Sequence, residues 1–144
     1  MMNCHETTIT VRFNEVDAYR VAWHGHYVCW MEIGRNNLSG QFGLGPDDLL
    51  ALGYQGPVVS LELKYLRPAL FNDAVTVRTW LDDDGAALLR FRCEMLSADG
   101  QRLASGLVCH ALTDLDGVLQ YRLPSEIEQR VANMRAWLDE GACP

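Results

Sequence analysis

The chain has 144 residues, of which 49% are hydrophobic and 22% are charged, a composition typical of one globular domain spanning residues 1 to 144. The net charge of −7 argues against nonspecific binding to nucleic acid or to an anionic membrane, since both would repel the chain. No run of 18 apolar residues occurs, so no transmembrane helix is expected.

The five cysteines are odd in number and show no C-x-x-C spacing. They therefore indicate neither a disulfide framework nor a zinc site, and we expect a reducing compartment. The first residues, MMNCHETTITVRF, lack the pattern of a signal peptide. A cytoplasmic protein without a cofactor is the resulting expectation.

The first predicted element is a strand at residues 7 to 13. Ile9, Val11 and Phe13 alternate there with polar residues, which indicates one buried face. From residue 24 to 38 the apolar residues follow helical spacing and cover most of the helix circumference. A helix that is apolar on most sides is buried on most sides, so we predict a central helix here.

A short second helix is predicted from Pro46 to Leu52, because proline and two aspartates at its start are typical of a helix N-terminus. Four strands follow, and each alternates between apolar and polar residues: 58 to 66, 75 to 81, 87 to 96 and 102 to 113. Asp-Gly pairs at 84–85, 99–100 and 116–117 separate apolar runs and indicate turns. These connections are too short for crossover helices, so the sheet is predicted to be mainly antiparallel.

A last helix is predicted from Ser125, where Ser125 and Glu128 fit a capping box. The order is therefore strand, buried helix, short helix, four strands and helix. An antiparallel sheet must cover its apolar face, and the 24–38 helix is the available cover. The predicted fold is α+β, with the sheet wrapped around a long central helix in the hotdog arrangement.

Two motifs resemble the hotdog-fold acyl-CoA thioesterases of the 4-hydroxybenzoyl-CoA thioesterase family. The first motif consists of Phe13, Asp17, Trp23-His24, Tyr27 and Glu32-x-x-Arg35. The second is Lys64-Tyr65-Leu66-Arg67-Pro68-Ala69 followed by Asp73-x-Val75. The resemblance covers residues 6 to 123. The chain departs from it at Tyr19 and Arg20, which stand where members carry small residues, and this difference bears on the range of substrates.

The resemblance implies an acyl-CoA thioesterase in which Asp17 is the reacting carboxylate. Asp17 would attack the thioester directly or act as general base on a water molecule, and both roles stay open. His24 would position the water or the thioester. The N–H groups of His24 and Gly25, at the start of the helix, would stabilise the oxyanion. The alternative interpretation makes Asp17 a turn residue and His24 a helix-start residue without a chemical role.

Other residues are candidates for contact with the substrate. Trp23, Tyr19 and Tyr27 are assigned to the acyl group, although Tyr27 also suits a core position. Lys64 and Arg67 are candidates for the phosphates of CoA. His24-x-His26 lacks a third ligand at sensible spacing, so no metal site is predicted.

Open strand edges and the family resemblance together predict a homodimer or homotetramer. Three alternatives to hydrolysis of acyl-CoA are open. An acyl carrier protein could replace CoA in the substrate, or the chain could be a non-catalytic acyl-binding module. A hotdog dehydratase would need a histidine paired with an acid from a facing helix, and the order of this chain, in which Asp17 comes first, fits that requirement poorly.

Overall fold

The computed structural model describes residues 3–82 and 87–141. These residues form the strands β1 His5–Thr10, β2 Tyr54–Gln55, β3 Val58–Tyr65, β4 Ala74–Leu81, β5 Leu89–Leu96, β6 Arg102–His110 and β7 Thr113–Asp114. The α-helices are α1 His26–Gln41, α2 Pro46–Ala51 and α3 Ser125–Asp139. One short 3₁₀ turn, Phe13–Glu15, follows β1.

Five of the strands form an antiparallel sheet in the order β1-β4-β5-β6-β3, and α1 packs across one face of this sheet. The prediction of an antiparallel sheet wrapped around a central helix is therefore confirmed. The β5–β6 hairpin turns at Asp99-Gly100, where Gly100 adopts a φ of +83° that suits glycine. The predicted turn at residues 84 and 85 lies outside the described residues. Strand β3 lies at one edge of the sheet, and no further strand of the described residues pairs with its outer side.

The centre of α1 packs closely against the sheet. Trp30 and Leu38 of this helix are no more than 2% exposed. A Cβ atom on Gly34 would come within 2.6 Å of Thr79 Oγ1, and one on Gly106 within 2.8 Å of Met31 Cε. Both glycines therefore permit a close approach of helix and sheet, which fixes where the N-terminus of α1 emerges.

Two predicted boundaries near the first motif are wrong. Helix α1 begins at His26 rather than at residue 24, because His26 N–H already bonds to the carbonyl of Trp23 in a tight turn, 3.0 Å away. Strand β1 ends at Thr10, and Phe13 is 82% exposed instead of facing the core. The chain leaves the sheet there because the Glu15 side chain accepts a hydrogen bond from Arg12 N–H at 2.8 Å and tightens the 3₁₀ turn.

Two further differences occur late in the chain. The predicted strand 102 to 113 ends at His110, and Thr113–Asp114 pairs instead with Tyr54–Gln55 in a separate two-stranded sheet. The predicted capping box at the start of α3 is not formed, since Pro124 is the N-cap and Ser125 already lies within the helix.

The cysteines are mostly unpaired in the described part of the chain. Cys29, Cys93 and Cys109 are free thiols, whereas Cys4 is disulfide-bonded, contrary to the expectation of reduced cysteines throughout. None of the helices within residues 3–82 and 87–141 combines the length and hydropathy needed to cross a membrane.

Candidate active site

The two sequence motifs meet in one pocket of about 350 Å³. The pocket lies where the turn after the 3₁₀ segment, the start of α1 and the end of β3 converge. Its lining consists of Asp17, Tyr19, Val21, Ala22, His24, Tyr27, Tyr65, Leu66, Arg67 and Pro68. The residues of the second motif thus complete a site that begins with the first.

Asp17 is held in a four-residue turn. Its N–H donates to the carbonyl of Val21 and its carbonyl accepts from Arg20 N–H, both at 2.9 Å. Arg20 adopts a φ of +64°, a conformation that favours glycine. One carboxylate oxygen, Oδ1, accepts the N–H of Tyr19 at 2.8 Å, and within the described chain Oδ2 accepts no hydrogen bond. Asp17 is therefore a turn residue and a pocket residue at once, with one oxygen left for a ligand.

A buried carboxylate, Glu15, ties this turn to the central helix. Glu15 is 2% exposed, and its Oε2 accepts the indole N–H of Trp30 at 3.0 Å. Its Oε1 accepts both the backbone N–H of Arg12 at 2.8 Å and the guanidinium Nε at 3.2 Å. Burial by itself would raise the pKa of Glu15, but these hydrogen bonds outweigh it and lower the pKa. Glu15 is thus an ionised clamp between the turn and α1.

The N-terminus of α1 offers free backbone donors. Gly25 is the N-cap and supplies no capping side chain. In the described part of the chain, the N–H groups of His24 and Gly25 donate no backbone hydrogen bond. The ring of Trp23 covers Gly25 so closely that a Cβ there would lie 2.1 Å from it. Tyr65 donates its hydroxyl to the carbonyl of His24 at 2.8 Å, and this bond fixes the orientation of the peptide that carries the Gly25 N–H.

Tyr27 is mainly a core residue that borders the pocket. It is 3% exposed, and its hydroxyl accepts the N–H of Ala69 at 3.1 Å. Burial, as the largest effect, raises the pKa of Tyr27. Its ring packs edge-on against Tyr65 with centroids 5.0 Å apart. The role of Tyr27 is therefore to hold the start of α1 against the segment after β3.

Of the remaining predicted site residues, only some line the pocket. Arg67 lines the pocket and donates to Gln101 Oε1 at 2.6 Å. Lys64 lines a groove on the polar side of the sheet instead. Trp23 is 46% exposed and is not part of the pocket lining. Among residues 3–82 and 87–141, no cluster of three histidine, cysteine or acidic side chains is suited to a metal ion.

Sequence reasoning missed the roles of Glu15 and Tyr65. Glu15 lies in the polar stretch Asn14-Glu15-Val16-Asp17, which is typical of an exposed loop, and only the fold buries its side chain. Tyr65 belonged to the second motif, but nothing in one strand indicates that its hydroxyl reaches the start of a helix 41 residues earlier.

Comparisons with known proteins agree with this geometry. A family model described as the thioesterase-like superfamily matches residues 11–140. A Bacillus subtilis protein provisionally named acyl-CoA thioesterase YneP is 32% identical over 82 residues, and the match covers 57% of this chain and 59% of that protein. The chain thus matches about three fifths of the length of this relative.

Two solved structures share the whole architecture. A hypothetical protein from Thermus thermophilus has a TM-score of 0.81 and 31% identity, with 90% of this chain and 98% of that chain covered. A DHNA-CoA thioesterase from Staphylococcus aureus has a TM-score of 0.86 and 22% identity, with 99% and 98% covered. The family model matches most of the sequence, and the hotdog fold and the two motifs that meet in one pocket agree with it. The chain belongs to the thioesterase-like superfamily.

Proposed function

We propose that the protein hydrolyses the thioester of an acyl-CoA to a free acid and CoA. The observation that carries the proposal is the pocket in which the Asp17 carboxylate and the uncapped start of α1 lie together. A thioester needs a nucleophile on one side of its carbonyl carbon and hydrogen-bond donors for the charge that grows on its oxygen. This pocket brings both kinds of group to one place in a chain of the thioesterase-like superfamily.

Asp17 supplies the reacting carboxylate. Its Oδ1 is held by Tyr19 N–H, which orients the side chain and leaves Oδ2 for the reaction. Oδ2 attacks the thioester carbonyl to form an anhydride, or it removes a proton from an attacking water molecule; the geometry is compatible with both roles. The imidazole of His24, which also lines the pocket, positions the water or the thioester.

The free N–H groups of His24 and Gly25 bind the thioester oxygen. They lie at the positive end of the α1 dipole, and the hydrogen bond from Tyr65 to the His24 carbonyl keeps the connecting peptide in place. Loss of a single oxyanion donor typically lowers turnover by about 10²–10³. The peptide from His24 to Gly25 is thus the second essential part of the proposed site.

The CoA moiety is assigned to the rim of the pocket at Arg67, whose guanidinium suits a phosphate. Lys64 and Arg67 line different surface depressions. Lys64 therefore contacts the CoA phosphates only if the nucleotide folds over the edge of the sheet. An acyl carrier protein carries the same thioester chemistry and is the alternative acyl donor.

A second copy of the chain completes the assembly. The edge strand β3 exposes seven of its eight residues and has a free row of backbone groups. Val59 and Leu61, on the side that faces α1, are 57% and 42% exposed, and Val28 and Ile33 of α1 are 39% and 41% exposed. Antiparallel pairing of two β3 edges would satisfy the backbone and cover this apolar surface. Dimerisation through β3 is proposed, with tetramers as pairs of such dimers.

The first experiment measures hydrolysis of short, medium, long and aromatic acyl-CoAs, with released CoA detected by a thiol reagent. Asp17→Asn is expected to lower kcat/KM at least about a hundredfold, which matches the size of general-base effects. Asp116→Asn is the matched control, since Asp116 is exposed in a turn and is not among the residues that line the pocket, so its change should leave the rate unaltered. Equal rates for Asp17→Asn and the wild type would exclude Asp17 from the reaction. If the folded wild type cleaves acyl carrier protein thioesters but no CoA ester, the substrate assignment is wrong; if it binds acyl-CoA without cleaving it, the protein is a binding module.

A further inference from the structure

The turn that carries Asp17 contains a residue in an unfavourable backbone conformation. Arg20 adopts a φ of +64°, in the left-handed region that glycine enters freely and asparagine tolerates. In the described part of the chain, Asn72 is the other non-glycine residue with a positive φ. An arginine at position 20 therefore costs conformational free energy that a glycine would not cost, and residues of this kind cluster at functional sites.

The folded structure makes no use of the Arg20 side chain. The backbone N–H of Arg20 closes the turn on the carbonyl of Asp17 at 2.9 Å, which any residue except proline could do. The residue is exposed, and its guanidinium forms no hydrogen bond or ion pair within residues 3–82 and 87–141. Six other arginines pair with carboxylates: Arg12, Arg35, Arg78, Arg92, Arg102 and Arg130. The contacts of the fold therefore do not explain an arginine at position 20.

The position of Arg20 relates it to the Asp17 pocket. Tyr19 and Val21, its two neighbours in the chain, line this pocket, and Arg20 lies between them in the turn. The N–H of Tyr19 is also the donor that holds Asp17 Oδ1 at 2.8 Å. Arg20 is exposed and is not part of the lining, so its guanidinium extends from the rim of the pocket into solvent. A cation thus lies beside the proposed reacting carboxylate, at the mouth of the pocket.

An acyl donor needs such a cation at this rim. A donor whose thioester reaches Asp17 leads its pantetheine arm out of the pocket, and in CoA and in acyl carrier proteins this arm ends in a phosphate. The net charge of −7 repels this anion from the protein as a whole, so local cations must offset the repulsion. Arg67 lines the same pocket but already donates to Gln101 Oε1. The guanidinium of Arg20 can donate two parallel hydrogen bonds to phosphate oxygens.

We propose that Arg20 binds the phosphate at the end of the pantetheine arm of the acyl donor. Arg20 is then a binding residue at a position where the family pattern has a small residue. The inference rests on the proposed thioesterase function. CoA and an acyl carrier protein carry the same phosphate, so the two sources are separated by experiment.

The test compares kcat/KM for one acyl group carried by pantetheine and by phosphopantetheine, two donors that differ only in the phosphate. The wild type is expected to prefer the phosphorylated donor by about three- to tenfold at low salt, because solvent partly screens a charge-assisted hydrogen bond at an exposed rim. Arg20→Gln should abolish this preference, and Arg20→Lys should retain part of it. Raising the salt concentration from about 10 mM to about 1 M should weaken the preference of the wild type.

Arg122→Gln is the matched control. Arg122 is also exposed and does not line the pocket, and its guanidinium has no partner among the residues that the structure describes. This variant should keep the full preference for the phosphorylated donor. If Arg20→Gln keeps the preference as well, or if both variants lose it equally, the assignment of the phosphate to Arg20 is wrong.

Arg20→Gly separates phosphate binding from a structural role. Glycine relieves the left-handed backbone, so this variant should lose the phosphate preference while its Tm stays the same or rises. A fall in Tm of more than about 3 °C would show that the side chain stabilises the turn, and it would overturn the phosphate assignment.

Acyl-CoA and acyl carrier protein with the same acyl group identify the source of the phosphate. If Arg20→Gln lowers kcat/KM for only one of these donors, the phosphate belongs to that donor. If it lowers both values, the site accepts the phosphate from either source. If it lowers neither value, Arg20 does not bind the phosphate.

Failure of the inference and failure of the proposed function give different results. Equal kcat/KM values for the pantetheine and phosphopantetheine donors in the wild type would overturn the phosphate site and leave the thioesterase intact. If no thioester is cleaved, the proposed function fails, and calorimetric titration with CoA decides on the phosphate site. Binding to the wild type at least about three times tighter than to Arg20→Gln would retain the site, whereas equal binding or no binding would overturn it.

Discussion

Replacement of Glu15 by alanine tests whether the buried clamp holds the turn that carries Asp17 against the central helix. The substitution leaves the indole N–H of Trp30 without its acceptor, and Trp30 is only 2% exposed. A buried donor without a partner costs about 1–3 kcal/mol, and the lost bonds to the exposed Arg12 add about 1 kcal/mol or less. We therefore expect Glu15→Ala to lower the free energy of unfolding by about 1–4 kcal/mol.

The measurement is urea unfolding followed by circular dichroism at one fixed protein concentration, since association contributes to apparent stability. Glu126→Ala is the matched control: Glu126 also pairs with an arginine, Arg130, at 3.0 Å, but its side chain is 62% exposed. Its effect should stay below about 1 kcal/mol. Equal effects of the two substitutions, within about 0.5 kcal/mol, would refute the clamp.

Acidification provides an independent check on the same residue. The pKa of Glu15 is lowered in the folded state, so the unfolded chain takes up this proton first. The stabilisation is complete above the ordinary value of 4.5 and is lost as the pH falls through the folded-state pKa. The free energy of unfolding of the wild type should therefore approach that of Glu15→Ala as the pH decreases. A difference between the two free energies that grows with decreasing pH would contradict an ionised clamp.

Two further predictions concern packing and thiol chemistry. Gly34→Ala should lower the free energy of unfolding by about 1–3 kcal/mol, because its Cβ would lie 2.6 Å from Thr79 Oγ1. Gly40 lies in the last turn of the same helix, and a Cβ added there would meet no atom within 4 Å. Gly40→Ala should therefore raise the free energy of unfolding by up to about 1 kcal/mol. Changes of the same sign in the melting temperatures of the two variants would contradict the close packing at Gly34. Burial raises the pKa of the Cys93 thiol to about 12, so iodoacetamide at pH 8 should not modify Cys93 in the folded protein. Mass spectrometry that finds Cys93 modified before unfolding would show that the thiol is accessible.

The class of fold could be predicted from the sequence alone, and so could three candidate residues that the fold brings into one pocket. Side-chain geometry gives a strand a period of two residues and a helix a period of 3.6 residues. Four strands and one helix lie in the segments in which these periods occur. Asp17 and His24 were candidates from the family resemblance and Arg67 from its charge, and all three line one pocket. The end of β1 and the start of α1 were predicted wrongly, since the hydrogen bonds that set them form within the turns around Arg12 and Trp23 and leave no periodic pattern.

The contacts that support the candidate site could be seen only in the folded chain. The contact of Glu15 with Trp30 and that of Tyr65 with His24 both join residues that are distant in sequence. The sequence shows that a side chain is polar, but it does not show whether that side chain faces water or a buried hydrogen-bond donor. Burial and the choice of partner are set by how the sheet closes on α1, so they become visible only when the chain is folded.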